Sequence, residues 1–156
     1  AVDLLKGIAV GAGMGVAYVE GANGGLHTNY EGKVQAALEA LRDGYDFVYI
    51  HVEAPDEMGH QGSVEKKVQA IEYLDQRVIG PLTKALEEEG TDYRLLVMPD
   101  HPTPIRVRTH TAESVPYLLY DSASPKKESW HYNEKEAAKS GNYVALGHTM
   151  IAKLLA

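Results

Sequence analysis

The sequence predicts a layered α/β fold with a largely parallel sheet. Amphipathic helical segments alternate along the chain with short β-branched and aromatic runs. The Asp and His residues fall in loops directly after those runs, where α/β folds keep their sites. With 156 residues and no repeat, low-complexity tract or linker, the chain reads as one unit large enough for a core.

Residues 2–13 (VDLLKGIAVGAG) form the first helical candidate, with Val2, Leu5, Ile8 and Ala9 near helical spacing. Val16 to Glu20 reads as a short strand, followed by a Gly-rich turn from Gly21 to Gly25. The next helix runs from about Tyr30 to Arg42, where Val34, Ala37, Leu38 and Leu41 fall at i, i+3, i+4 and i+7 and Asn29 is available as N-cap. Asp46 to Val52 (DFVYIHV) suits a buried strand, with His51 a core histidine inside it. After the loop EAPDEMGHQG comes the longest periodic segment, Ser63 to Glu89, with Val64, Val68, Ile71, Leu74 and Val78 on one face. Gly80-Pro81 kinks or divides it, because Pro81 removes a donor and crowds the preceding turn. Tyr93 to Met98 and Tyr117 to Tyr120 read as further strands, PIRVR (104–108) as extended, and residues 143–155 as a closing helix.

Composition narrows the function classes. Fifteen Lys and Arg against 22 Asp and Glu give a net charge of −7, which disfavours a general nucleic-acid binder. No apolar run reaches the roughly 18–20 residues of a membrane span. Cysteine is absent, which removes disulfides, zinc–thiolate sites, iron–sulfur clusters and thiol nucleophiles. Any metal must be held by His and carboxylate. The opening stretch lacks a signal-peptide pattern, so the expected compartment is the cytoplasm. A start at Ala1 fits a processed chain or part of a longer one.

Three clusters carry the chemistry. Asp56 and His60 stand four residues apart after the 46–52 run, so one helical turn would bring both to one ion. Asp100-His101 follows YRLLVMP, and Thr109-His110-Thr111 follows PIRVR. Aspartate and neutral imidazole are the ligands of zinc, manganese and similar divalent ions. Each histidine alone is more simply a polar loop residue, so the argument is the coincidence of five donors after strands. Arg106 and Arg108 alternate on one face of the extended reading and are candidate phosphate contacts.

The wording APDEMGH and MPDHPTPIRVRTHT, with TNYEGK and DGYDFVYIHVEAPD upstream, resembles the cofactor-independent (2,3-bisphosphoglycerate-independent) phosphoglycerate mutases of the archaeal type. These belong to the alkaline phosphatase superfamily. The resemblance runs from AVDLLKGIAVGAGM through VPYLLYD and fades after about Asp121. It implies an α/β/α sandwich around a bimetal centre of manganese, magnesium or zinc. It implies Asp56, His60 and His110 as ligands of one ion, and Asp100 and His101 as two ligands of the second. In the family, an aspartate near the N-terminus and a phosphoryl-accepting serine complete the second site, and neither has a counterpart here. Ser63, Ser114, Ser122, Ser124, Ser129 and Ser140 lie in the wrong places to match. The family's inserted domain, whose arginines hold the phosphoglycerate, has no match either.

The implied whole is therefore residues 1–156 as the C-terminal half of a phosphatase-type domain. It would supply most metal ligands but not the nucleophile for interconverting 3-phosphoglycerate and 2-phosphoglycerate through a phosphoserine. Alone it should be inactive, and it should need its missing half or self-associate. Another phosphohydrolase or phosphomutase of the superfamily, or a metal-binding module without catalysis, are the alternatives. No nucleic-acid or membrane partner is expected.

Overall fold

The structure is a computed structural model that describes residues 2–126 and 130–156. Ser129 lies outside the described residues. The chain divides into two compact units, Ala1–Ala85 with Thr103–Thr109, and Leu86–Pro102 with His110–Ala156. No helix among the described residues is long and apolar enough to cross a membrane.

The first unit is helical. α1 (Val2–Gly11) leaves Leu4, Ile8 and Val10 exposed. α2 (Tyr30–Arg42) starts where the sequence places it: the Asn29 side chain accepts from Gly32 N at 2.8 Å, and its amide donates to Glu20 O at 2.8 Å. One cap thus satisfies a helix end and ties down the preceding loop. α2 buries Tyr30, Val34, Ala37 and Leu38. The Tyr30 hydroxyl donates to Leu26 O at 2.9 Å, so the polar tip of this fully buried ring is satisfied.

The long periodic segment is a single helical run with a defect. α4 (Val64–Leu74) leads into a π turn, Asp75–Ile79, and then α5 (Gly80–Glu88). Gly80 N bonds to Asp75 O, five residues back. The wide turn ends at Ile79, two residues before Pro81, which lacks a donor and would press its ring on the preceding turn of a regular α-helix. The turn points Arg77 back at α2. Its guanidinium lies 4.7 Å from the Tyr30 ring centre and 4.9 Å from that of Tyr73, and it pairs with both Glu31 oxygens at 2.6 and 2.8 Å. Of the face read from the sequence, Val64, Val68 and Ile71 are exposed while Val78 is buried, and Ala70 is buried as well.

In the second unit, β1 (Arg94–Val97) pairs with β2 (Leu118–Asp121) in an antiparallel ladder, Arg94 opposite Asp121 and Val97 opposite Leu118. Arg94 Nε donates to Asp121 Oδ2 at 2.9 Å, closing the end of the ladder and holding the Asp121 carboxyl below its ordinary range. α6 (Glu134–Lys139) is capped by Asn133, and α7 (Met150–Leu155) packs on β1 with Met150 buried. The Tyr132 hydroxyl donates to Pro116 O at 3.1 Å, and burial, with Glu134 nearby, pushes its pKa up to about 12.

Several expectations are corrected. The sheet among the described residues is two antiparallel strands, not a largely parallel one. The connection from β1 to β2 carries no helix, and a parallel pair needs a long crossover. Val16–Glu20 and Asp46–Val52 contain no ladder, so His51 does not sit in a buried strand; it is half-buried and stacks beside Tyr49. PIRVR is a turn, with Val107 N and Arg108 N both bonding to Pro104 O, so Arg106 and Arg108 do not share the face of an extended segment. EAPDEMGHQG, read as a loop, contains a helix. The closing helix is confined to a short 3-10 turn (Gly147–Thr149) and α7.

Asn29→Ala should lower the unfolding free energy by about 1 kcal/mol, the usual cost of a lost N-cap. Gln35→Ala, which removes only an exposed bond to Glu39, should stay within about 0.5 kcal/mol. Urea unfolding followed by circular dichroism measures both.

Candidate metal centre

The helix hidden in the loop sequence builds the centre. α3 (Ala54–His60) begins with Pro55 in its first turn, where a missing N–H costs nothing, and with Asp56 and Glu57 near the positive end of the helix dipole. Asp56 and His60 are therefore successive members of one helix face, with His60 Nε2 3.3 Å from Asp56 Oδ2. Ala54 and Met58 are buried on the opposite side, and Gly59 is buried where Thr103 approaches.

The segment Thr103–Thr109 lies over this helix and belongs to the same unit. The Thr103 hydroxyl donates to Asp56 Oδ1. Arg108 O stands 3.0 Å from His60 Nδ1, and a carbonyl can only accept. A proton on Nδ1 satisfies that carbonyl, and Nε2 is the ring nitrogen that faces Asp56. Arg108 presents that carbonyl from a left-handed backbone conformation, φ 55°, which a non-glycine residue adopts only when its surroundings enforce it. Its guanidinium packs where a side chain at Gly62 would stand.

His110 is two residues beyond Arg108 in the same loop. Asp56 and His60 belong to the first unit and His110 to the second. The carboxylate and imidazole that α3 presents together suit zinc, manganese or a similar divalent ion. The His110 ring also stacks on His101, with centroids 3.6 Å apart and planes at 29°. Asp100 Oδ2 stands 3.5 Å from His101 Nε2, and the Asp100 carboxylate is mostly exposed. Thr111 Oγ1, next to His110, is buried without a hydrogen-bond partner.

A family model described as the metalloenzyme superfamily matches residues 1–156, the whole length of the chain. The chain belongs to the metalloenzyme superfamily. Its curated relatives include a 2,3-bisphosphoglycerate-independent phosphoglycerate mutase of Methanosarcina mazei, 49% identical over 142 residues. Another, of the same name, from Methanothrix thermoacetophila, is 47% identical over 156 residues. The match spans 91% and 100% of this chain but 36% and 40% of those relatives. A solved structure from Pyrococcus horikoshii is similar with a TM-score of 0.88 at 32% identity, over 99% of this chain and 46% of that one. A metalloenzyme needs donors held in register, and the Asp56–His60 turn and its overlying loop meet that need.

Sequence reasoning overlooked two members of this arrangement, the Thr103 hydroxyl and the Arg108 carbonyl. A threonine locked between Pro102 and Pro104, directly after Asp100-His101, was the available signal. Gly59 is the key to their seating. A Cβ there would come within 2.6 Å of Thr103 O and 2.9 Å of Lys67 Nζ. Gly59→Ala should therefore cost about 1–3 kcal/mol through overpacking. Gly7→Ala, where a Cβ meets nothing, should not destabilise the chain in the same urea titration.

Proposed function

We propose that the chain is the metal-binding part of a 2,3-bisphosphoglycerate-independent phosphoglycerate mutase that interconverts 3-phosphoglycerate and 2-phosphoglycerate in glycolysis and gluconeogenesis. The observation that carries this reading is the Asp56–His60 pair on one face of α3, found in a chain 47–49% identical to relatives of that name. In this reading Asp56, His60 and His110 hold one divalent ion, and Asp100 and His101 give two ligands to a second. The ions are manganese, magnesium or zinc. The complete domain is the α/β/α sandwich of alkaline-phosphatase-like enzymes, working in the cytoplasm.

Phosphate esters are anionic and repel nucleophiles, so the reaction needs charge neutralisation and an activated hydroxyl. Bound divalent ions supply both, by offsetting phosphate charge and lowering the pKa of an oxygen nucleophile. This chain's residues prepare the place. Asp56 brings the negative charge that draws a cation. His60 offers Nε2 because Nδ1 is committed to Arg108 O. His101 holds His110 by stacking.

The nucleophile in this reading is a serine that, once phosphorylated, returns the phosphoryl group to the other glycerate hydroxyl. We place it in the part of the relatives' length that the match does not span. Arg106 is retained as a phosphate contact, whereas the Arg108 guanidinium is engaged at Gly62. The exposed stripe of Val64, Val68 and Ile71 is where we place the remainder of the domain.

The 156-residue chain alone should show no mutase turnover at saturating manganese, because losing the nucleophile from a catalytic unit removes most of the rate. Robust turnover by rigorously purified chain would overturn the placement of the nucleophile. Joined to the rest of a relative's length it should turn over, and Asp56→Ala should abolish that activity. Calorimetric titration of manganese into the chain should show one dominant site. His60→Ala should weaken it far more than His101→Ala, and equal losses would refute the division of ligands.

A further inference from the structure

Thr103 is among the most buried polar side chains of the described residues, and its hydroxyl bears on the face of α3 that carries Asp56. Its hydroxyl donates to Asp56 Oδ1, while Oδ2 of the same carboxylate is the oxygen 3.3 Å from His60 Nε2. Its carbonyl accepts from Lys67 Nζ at 2.6 Å, which pins the loop to α4. Gly59 provides the space for this approach. Pro102 and Pro104 on either side fix φ and limit the ways the hydroxyl can leave. A buried hydroxyl with this much support is an arranged contact.

An ionised carboxylate has two oxygens to offer, and its charge alone does not decide whether one or both face an ion. Calcium takes six to eight oxygens and often binds carboxylates through both, whereas smaller divalent ions are served by one oxygen per carboxylate. We propose that Thr103 is a positioning residue that occupies one oxygen of Asp56, making it a one-oxygen ligand and biasing the centre toward small divalent ions and against calcium. This deepens the reading of Asp56 and His60 as metal ligands and rests on it. Lys67 and Gly59 hold Thr103 in place but do not set the preference themselves.

Separate titrations of manganese and calcium into the purified chain test the proposal, using the wild type, Thr103→Val, Thr103→Ser and Asp56→Ala. Thr103→Val should weaken manganese binding about 10–100-fold, the usual effect of losing a ligand's outer support. Calcium should lose less, so the manganese-to-calcium preference falls. Thr103→Ser, which keeps the hydroxyl, should restore both the affinity and the preference. A merely structural role would lower both affinities together and leave their ratio unchanged. Where Thr103→Val fails to fold, Thr103→Ala removes the hydroxyl without a branched side chain and gives the same readout. An unchanged ratio in the hydroxyl-less variants, or a serine variant that behaves like valine, would overturn the proposal. If Asp56→Ala binds manganese as well as wild type, the ligand reading itself fails. If Asp56→Ala loses binding while Thr103→Val keeps the wild-type ratio, only the role of Thr103 fails.

Discussion

The backbone of Thr103 lies against Gly59, where even a methyl group would come within 2.6 Å of its carbonyl oxygen. The rest of the centre depends on that approach. It seats the Thr103–Thr109 segment over α3, so that one hydroxyl and one carbonyl reach the two side chains that α3 presents in register. Each bond removes a degree of freedom from a group that must be correctly oriented to bind an ion. The carboxylate loses its rotation, and the imidazole loses its choice of tautomer. Such outer contacts are what separate a preorganised centre from a chance grouping of polar side chains.

A second cluster anchors the frame on which α3 and α4 stand. Pro81 obliges the helix to widen at Asp75–Ile79, and the widened turn delivers Arg77 between two tyrosine rings and onto the Glu31 carboxylate. Glu31 is exposed, so the ion pair alone contributes little. The guanidinium also covers the rings of Tyr30 and Tyr73, which meet edge to face at 5.8 Å. Lys33, one turn further along α2, is half-buried and donates to His51 O at 2.5 Å; burial lowers its pKa from the ordinary range. These contacts hold the first unit together where no strand ladder does so among the described residues.

The legible parts of the fold were those governed by short-range rules. Asn29 announced α2 because a capping side chain acts on a backbone N–H three residues away, and the interruption near Pro81 followed from a missing donor. The hidden helix at Ala54–His60 was not legible, because seven residues with a proline and a glycine give too short a periodicity to outweigh loop composition. Strand pairing was not legible either. Asp46–Val52 has strand-forming residues, but a strand exists only where a neighbour accepts its hydrogen bonds, and sequence alone does not supply the neighbour. At the centre, Asp56 and His60 could be read from their spacing. The stacking of His101 on His110 depends on how a loop folds back, and the share of Thr103 in the centre depends on a contact 47 residues distant in sequence.

X-ray absorption of the zinc-loaded chain tests the central claim most directly, that α3 and its overlying loop form a mixed carboxylate and imidazole centre. The account predicts a shell of nitrogen and oxygen at about 2.0–2.2 Å with the outer-shell scattering of two imidazole rings, reduced to one ring in His60→Ala. An all-oxygen shell without imidazole scattering, or a spectrum that His60→Ala leaves unchanged, would contradict it.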